Sequence, residues 1–164
     1  MPIDSLERLF VEELRDVYYA EKQLTRALKQ MGKNAHDERL KKAFDDHRTE
    51  TEEQVVRLET IFDSLDLKPR GKTCHGIKGI IEEGRERMEE EGDEAVLDAG
   101  LIAGAQRAEH YEIAAYGTLR AYAERLGYTD ATRLLSTTLE EEKAADQKLN
   151  DLAMNLINPR AEMS

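Results

Sequence analysis

Residues 105–119 read AQRAEHYEIAAYGTL, and the reading of this stretch decides the fold. Ala105, Ala108, Glu109, Glu112 and Leu119 recur at steps of three and four, which places them on one face of an α-helix. Leu126 extends the same stripe. A face that begins apolar, carries two glutamates and returns to leucine belongs to a core-facing helix with acids set into its middle. The pattern repeats three times elsewhere. Val17, Glu21, Leu24 and Leu28 share one face; Phe44, His47, Glu50, Gln54 and Leu58 share a second; Leu135, Leu139, Glu142, Asp146 and Leu149 share a third.

Start and stop signals bound each segment. Asp4-Ser5-Leu6-Glu7 reads as a capping box for a helix over 4–32 that Gly32 closes. A second helix spans 37–65 and ends before Pro69 and Gly71. Thr73 caps a shorter one to about 90, whose apolar side is Ile77, Ile80, Ile81 and Met88. Asp93 caps the helix over 94–126, stopped by Gly127; Thr129 caps the last, over 130–157, stopped by Asn158-Pro159. A chain of 164 residues with 36% charged side chains, no Trp and prolines only at 2, 69 and 159 leaves such helices uninterrupted. Each long helix measures roughly 45 Å. Short turns make the first two antiparallel, and likewise the last two, while the stretch 66–93 is long enough to run back along them. The expected fold is all-α: one domain over 1–164, a ferritin-like four-helix bundle with one long crossover carrying a short fifth helix.

The net charge of −11 argues against nucleic acid as a partner. No apolar run approaches the roughly 20 residues that span a bilayer. Met1-Pro2-Ile3-Asp4 lacks the basic and apolar regions of a secretory signal, so a cytoplasmic location is expected. Cys74 stands alone, and no CxxC pair is present.

The acids agree in depth as well as in face. The long helices have midpoints near residues 18, 51, 110 and 143, and Glu21, Glu50, Glu109, Glu112 and Glu142 lie within about three residues of them, or roughly 5 Å of rise. Helix midpoints meet in an up-and-down bundle, so the carboxylates converge. An unpaired buried carboxylate costs several kcal/mol, and like charges sharing one layer need cations or protons between them. Lys22, Arg107 and Lys143 point elsewhere. Two divalent metals resolve the conflict, and an oxygen-rich set with few imidazoles suits iron or manganese, with zinc less distinctive. The proposed ligands are Glu21, His47, Glu50, Glu109, Glu112, Glu142 and Asp146, with Glu50 or Glu112 bridging. Gln54 is placed to support a ligand, and Tyr18 and Tyr116 lie near the cluster. His110 is about 160° around its helix from Glu112 and cannot share the site. His36 and His75 fall in connections.

The segments YAEKQL (19–24), HRTET (47–51), AEHYEIA (108–114) and TLEEEKAAD (138–146) resemble the bacterial stress-associated YciF proteins, ferritin-like bundles related to the rubrerythrins. The resemblance covers nearly the whole chain. It implies a ferritin-like fold, a homodimer and a candidate di-iron site. The wider ferritin-like pattern has Glu-x-x-His on two helices, whereas this chain offers His47-x-x-Glu50 in reversed order and Glu142 with Asp146 but no histidine. Without CxxC pairs, a redox cycle needs an external electron donor. Two functions follow as expectations. One is a stress protein with two metal ions, reacting with oxygen or peroxide at iron. The other is a non-enzymatic dimeric structural or binding protein in which metal is absent or only structural.

Overall fold

The computed structural model describes residues 2–164, and helix makes up 83% of the chain. Helix α1 is Leu6–Asn34, capped by Ser5, whose hydroxyl accepts the Arg8 N–H. Asp4 opens no capping box because its carboxylate is taken by Arg8 at 2.9 Å. Gly32 does not stop the helix. Its missing Cβ lets α1 pass Asp45 of the next helix, whose Oδ1 would lie 2.9 Å from a β-carbon there. The chain leaves the helix at Ala35, which is extended.

Helix α2 is Glu38–Ser64, and the Asp37 carboxylate caps it by accepting the Arg39 and Leu40 N–H groups. Asp66 then takes a left-handed conformation, φ 56°, and turns the chain into the crossover. Helix α3, His75–Met88, starts from Cys74 with no side-chain cap, so Thr73 does not serve as one. Helix α4, Glu94–Arg125, is capped by Asp93 through the Ala95 and Val96 N–H groups. Gly127, φ 75°, makes the next turn. Helix α5 is Thr129–Leu152; Thr129 is its first residue rather than its cap. Asn158-Pro159 does not end the helical path. A π-helical turn, Ala153–Ile157, leads directly into α6, Asn158–Glu162. The wider turn lies just ahead of Pro159, whose ring would otherwise meet the carbonyl four residues back.

Two apolar clusters fix the arrangement. Phe10 and Leu14 of α1 meet Ile61 and Phe62 of α2, Leu119 of α4 and Leu135 of α5 at one end. Leu28 and Met31 of α1 meet Leu40 and Phe44 of α2, Ile102 of α4 and Leu149 of α5 at the other. Helices α1 and α5 therefore run one way and α2 and α4 the other, with α1 beside α4 and α2 beside α5. The crossover climbs the outside, where Ile77 of α3 is sealed against Ala20 and Leu24 of α1 and Ala108 of α4. The apolar side of α3 thus covers its own bundle. At the end where α1 turns into α2, the buried Asp98 carboxylate of α4 accepts the His36 and Asp37 N–H groups, both at 2.8 Å, and ties the turn to the bundle. Among the described residues, no helix is long and apolar enough to cross a membrane.

Candidate metal centre

Between the two apolar clusters lies a polar layer. Helix α1 contributes Glu21, α2 contributes His47, Thr51 and Gln54, α4 contributes Glu109 and Glu112, and α5 contributes Thr138 and Glu142. Each belongs to a stripe whose neighbouring turns are apolar, so burying those turns forces the polar residue inward. Glu21 and Glu142 are wholly sealed from solvent.

His47, Glu109, Glu112 and Glu142 each offer a ligand atom within 4.8 Å of the others. The His47 Nε2 lies 2.7 Å from Glu109 Oε1 and 3.7 Å from Glu142 Oε2. Glu112 is flanked by Glu142 and Glu21, and Tyr116 faces Glu21. Most of these groups lack partners. Both carboxylate oxygens of Glu21 and of Glu142, Oε2 of Glu109, Oε1 of Glu112 and the Tyr116 hydroxyl are buried without a hydrogen bond. Each such atom costs about 1–3 kcal/mol if left unsatisfied.

Burial, with the neighbouring carboxylates, raises Glu112 well above the ordinary carboxylate range and brings Glu21 and Glu142 to about 8. For His47, burial disfavours the imidazolium, but the Glu109 and Glu50 carboxylates outweigh it and raise the ring well above its usual value. The layer thus takes up protons unless another positive charge replaces them. Four carboxylates and one imidazole, converging with open oxygens, form a donor set that fits hard divalent cations and can hold a metal ion.

The structure brings together Glu21, His47, Glu109, Glu112 and Glu142. Glu50 stands at the rim, its side chain 43% exposed and its Oε2 3.5 Å from His47 Nδ1. Asp146 lies outside the group. One turn beyond Glu142 its side chain has drifted around α5 toward α4, where Oδ2 meets the exposed His110 Nε2 at 3.1 Å and Oδ1 meets Gln106. Gln54 is sealed, and its amide donates to Glu141 rather than to a candidate ligand. Tyr18 turns away and donates to Glu59 at 2.9 Å, so of the two tyrosines only Tyr116 joins the layer. Lys22, Arg107 and Lys143 are exposed, and none neutralises it.

The stripes also held residues that the reading passed over. Asp98 continues the Leu101, Ala105 and Glu109 face of α4 one turn earlier and could have been found by the same spacing. Arg57 joins α2 to α5: its guanidinium donates to Glu141, with Nη2 3.1 Å from Oε2, and to Thr138 Oγ1 at 3.2 Å. No feature of the sequence announced that pair.

Residues 5–162 match the model of a family described as a domain of unknown function, DUF892. Protein YciF of Escherichia coli (strain K12) is 47% identical over 163 residues, covering 99% of this chain and 98% of its own. The crystal structure of the E. coli stress protein YciF superposes with a TM-score of 0.91 over 95% of this chain and 99% of that one, at 47% identity. YcfI of Rhodopseudomonas palustris, provisionally described as a structural protein, gives a TM-score of 0.89 at 47% identity, covering 93% of this chain and 97% of its own. A Xanthomonas campestris pv. campestris protein shares the fold at 20% identity, with a TM-score of 0.72 over 97% of this chain and 98% of that one.

Proposed function

The chain belongs to the DUF892 family, and from that premise we propose that it is a stress-associated carboxylate protein whose bundle holds two metal ions. The observation that carries this reading is the layer of sealed, unpartnered donors drawn from all four long helices. His47, Glu109, Glu112 and Glu142 would hold one ion, and Glu21, beside Glu112, would help to hold a second. Glu112, between Glu21 and Glu142, would be shared by both. Glu50 lies 3.5 Å from the His47 Nδ1, close enough to favour a positive charge on the ring, while Nε2 faces inward to Glu109. Tyr116 adds a buried, unpartnered hydroxyl beside Glu21. Iron is the natural occupant of so oxygen-rich a set, with manganese or zinc as competitors. When bound, iron supplies electron-transfer chemistry toward dioxygen or peroxide, with electrons from an external donor. Assembly as a homodimer is part of the same proposal, and light scattering at twice 18.7 kDa is its test.

A second reading has its own support. The layer can also be satisfied by protons, since burial raises Glu21, Glu112 and Glu142 and the imidazolium of His47 is stabilised beside Glu109. On that reading the protein is structural and needs no metal. Metal analysis of protein purified without chelator, joined to an ultraviolet–visible spectrum, separates the two. Two metal equivalents per chain support the first. In melting curves, metal at a thousandfold excess over Kd stabilises by about 4 kcal/mol, roughly 10 °C for a chain of this size. No metal and no shift leave the structural reading in place.

A further inference from the structure

Helices α1, α3 and α4 do not close against one another along their whole length. Ala27, Gly84, Gly104, Ala105 and Ala108 present small side chains or none where the three meet, and a cavity of about 230 Å³ lies between them. Leu24 and Leu28 of α1 and Ile80, Ile81 and Met88 of α3 give it apolar walls. The space opens to solvent at its mouth and its lining is mainly apolar, so displacing water from it favours an apolar occupant. Its inner end reaches His47, Glu109 and Glu112, and the unpartnered Glu109 Oε2 and Glu112 Oε1 belong to residues only 2% and 1% exposed. Its outer end carries Gln23, Arg26, Gln30 and Arg85. Arg26 is exposed on α1, and Arg85 on α3 pairs with the exposed Glu82 one turn away.

We propose that this cavity binds a medium-chain aliphatic carboxylate, its alkyl tail between α1, α3 and α4 and its head at Arg26 and Arg85. The walls select the tail, because their apolar side chains offer a molecule's polar groups no partner. Size sets the length. An apolar cavity of about 150 Å³ takes up benzene, so the larger space here accommodates roughly eight to ten carbons. Charge sets the direction. Arg26 and Arg85 line the mouth, and two guanidiniums match a carboxylate in shape and sign. In a chain of net charge −11 this is a local exception that favours an acidic ligand. The far end of the tail then comes to rest beside the candidate metal ligands. Binding does not depend on metal being present.

Isothermal titration of the full-length protein, with and without bound metal, against hexanoate, octanoate and decanoate tests the assignment. Affinity rises about fourfold for each added methylene while the tail fills the cavity. Gly104→Leu places a side chain in the space, where a β-carbon meets nothing closer than the Gly84 Cα at 4.0 Å, and weakens decanoate at least tenfold. Gly84→Leu fills the same space from α3 and gives the same loss should the first variant fold poorly. Arg26→Gln combined with Arg85→Gln weakens decanoate but leaves decanol unchanged. Absence of saturable binding, affinity independent of chain length, or wild-type affinity in both glycine variants overturns the proposal. Decanoate binding by protein that takes up no metal removes the metal reading and leaves this one; metal uptake without decanoate binding does the reverse.

Discussion

Asp98 and Glu112 are both carboxylates of α4, 2% and 1% exposed, and they live in opposite surroundings. The Asp98 oxygens accept two backbone N–H groups at 2.8 Å, with the His36 ring 3.3 Å away. Glu112 faces Glu21 and Glu142, and its Oε1 has no donor at all. One acid completes the turn between α1 and α2; the other leaves an unsolved charge in the middle of the bundle. Burial alone therefore does not single out a candidate ligand. The absence of donors around it does.

Glu112→Gln breaks the comparison most strongly, because it keeps the volume and removes the charge. The variant loses most of the metal-induced stabilisation, about 4 kcal/mol at a thousandfold excess over Kd. Without metal it matches or exceeds wild type at pH 8, since one acid that resists ionisation is gone. Melting curves with and without iron(II) or manganese measure both effects. A wild-type metal shift in the variant removes Glu112 from the ligand set.

Asp98→Ala acts in the other region. It strands two partly buried N–H groups and costs about 2–4 kcal/mol. Urea titrations should show that loss equally in metal-free and metal-loaded protein. A metal increment that falls with it would mean the two carboxylates belong to one network.

The third effect is a divergence with pH. Folded-state values raised above the unfolded ones mean that the metal-free native protein binds more protons than the unfolded chain. For Glu21 and Glu142, which rise from the ordinary 4.5 to about 8, the associated stability is complete below about pH 4.5 and is lost as pH climbs toward 8. His47 works in the same direction, its share fading as pH climbs from the ordinary 6.5 toward its raised value. Metal ligands must be deprotonated, so metal binding strengthens over the same interval. Melting temperatures from pH 5 to 8.5 should fall for metal-free protein and hold or rise for loaded protein. Parallel curves would separate the protons from the metal site.

Asp146→Asn should do least, below about 0.5 kcal/mol and with metal stoichiometry unchanged, because its carboxylate serves His110 and Gln106. Loss of a metal equivalent would return Asp146 to the centre.

Helical spacing made the convergence of the candidate ligands largely legible in the sequence. Glu21, His47, Glu109, Glu112 and Glu142 were recoverable because apolar neighbours one turn away fix both face and depth. Asp146 was misplaced because four residues turn a helix by about 400°, so each step along a stripe rotates the side chain by about 40°. On α5 that rotation was enough to carry Asp146 out of the bundle. The helix ends at Gly32 and Asn158-Pro159 were misread for another reason: a glycine there answers to Asp45 on the facing helix, and a π-helical turn absorbs the proline. Both depend on contacts outside the local segment. The cavity was illegible for the same reason, since alanines and glycines mark close packing and open space alike until helix positions are known.

The crossover divides the candidate ligands between two hairpins. Helices α1 and α2 bring Glu21 and His47, while α4 and α5 bring Glu109, Glu112 and Glu142. Each hairpin is local in sequence and can form early, but the centre exists only once the two have docked. Metal therefore has little to grip before the last stage of folding. Stopped-flow measurements should find the refolding rate nearly indifferent to metal and the unfolding rate sharply slowed. On these grounds an ion held there would act as a late clasp on halves that have already found each other.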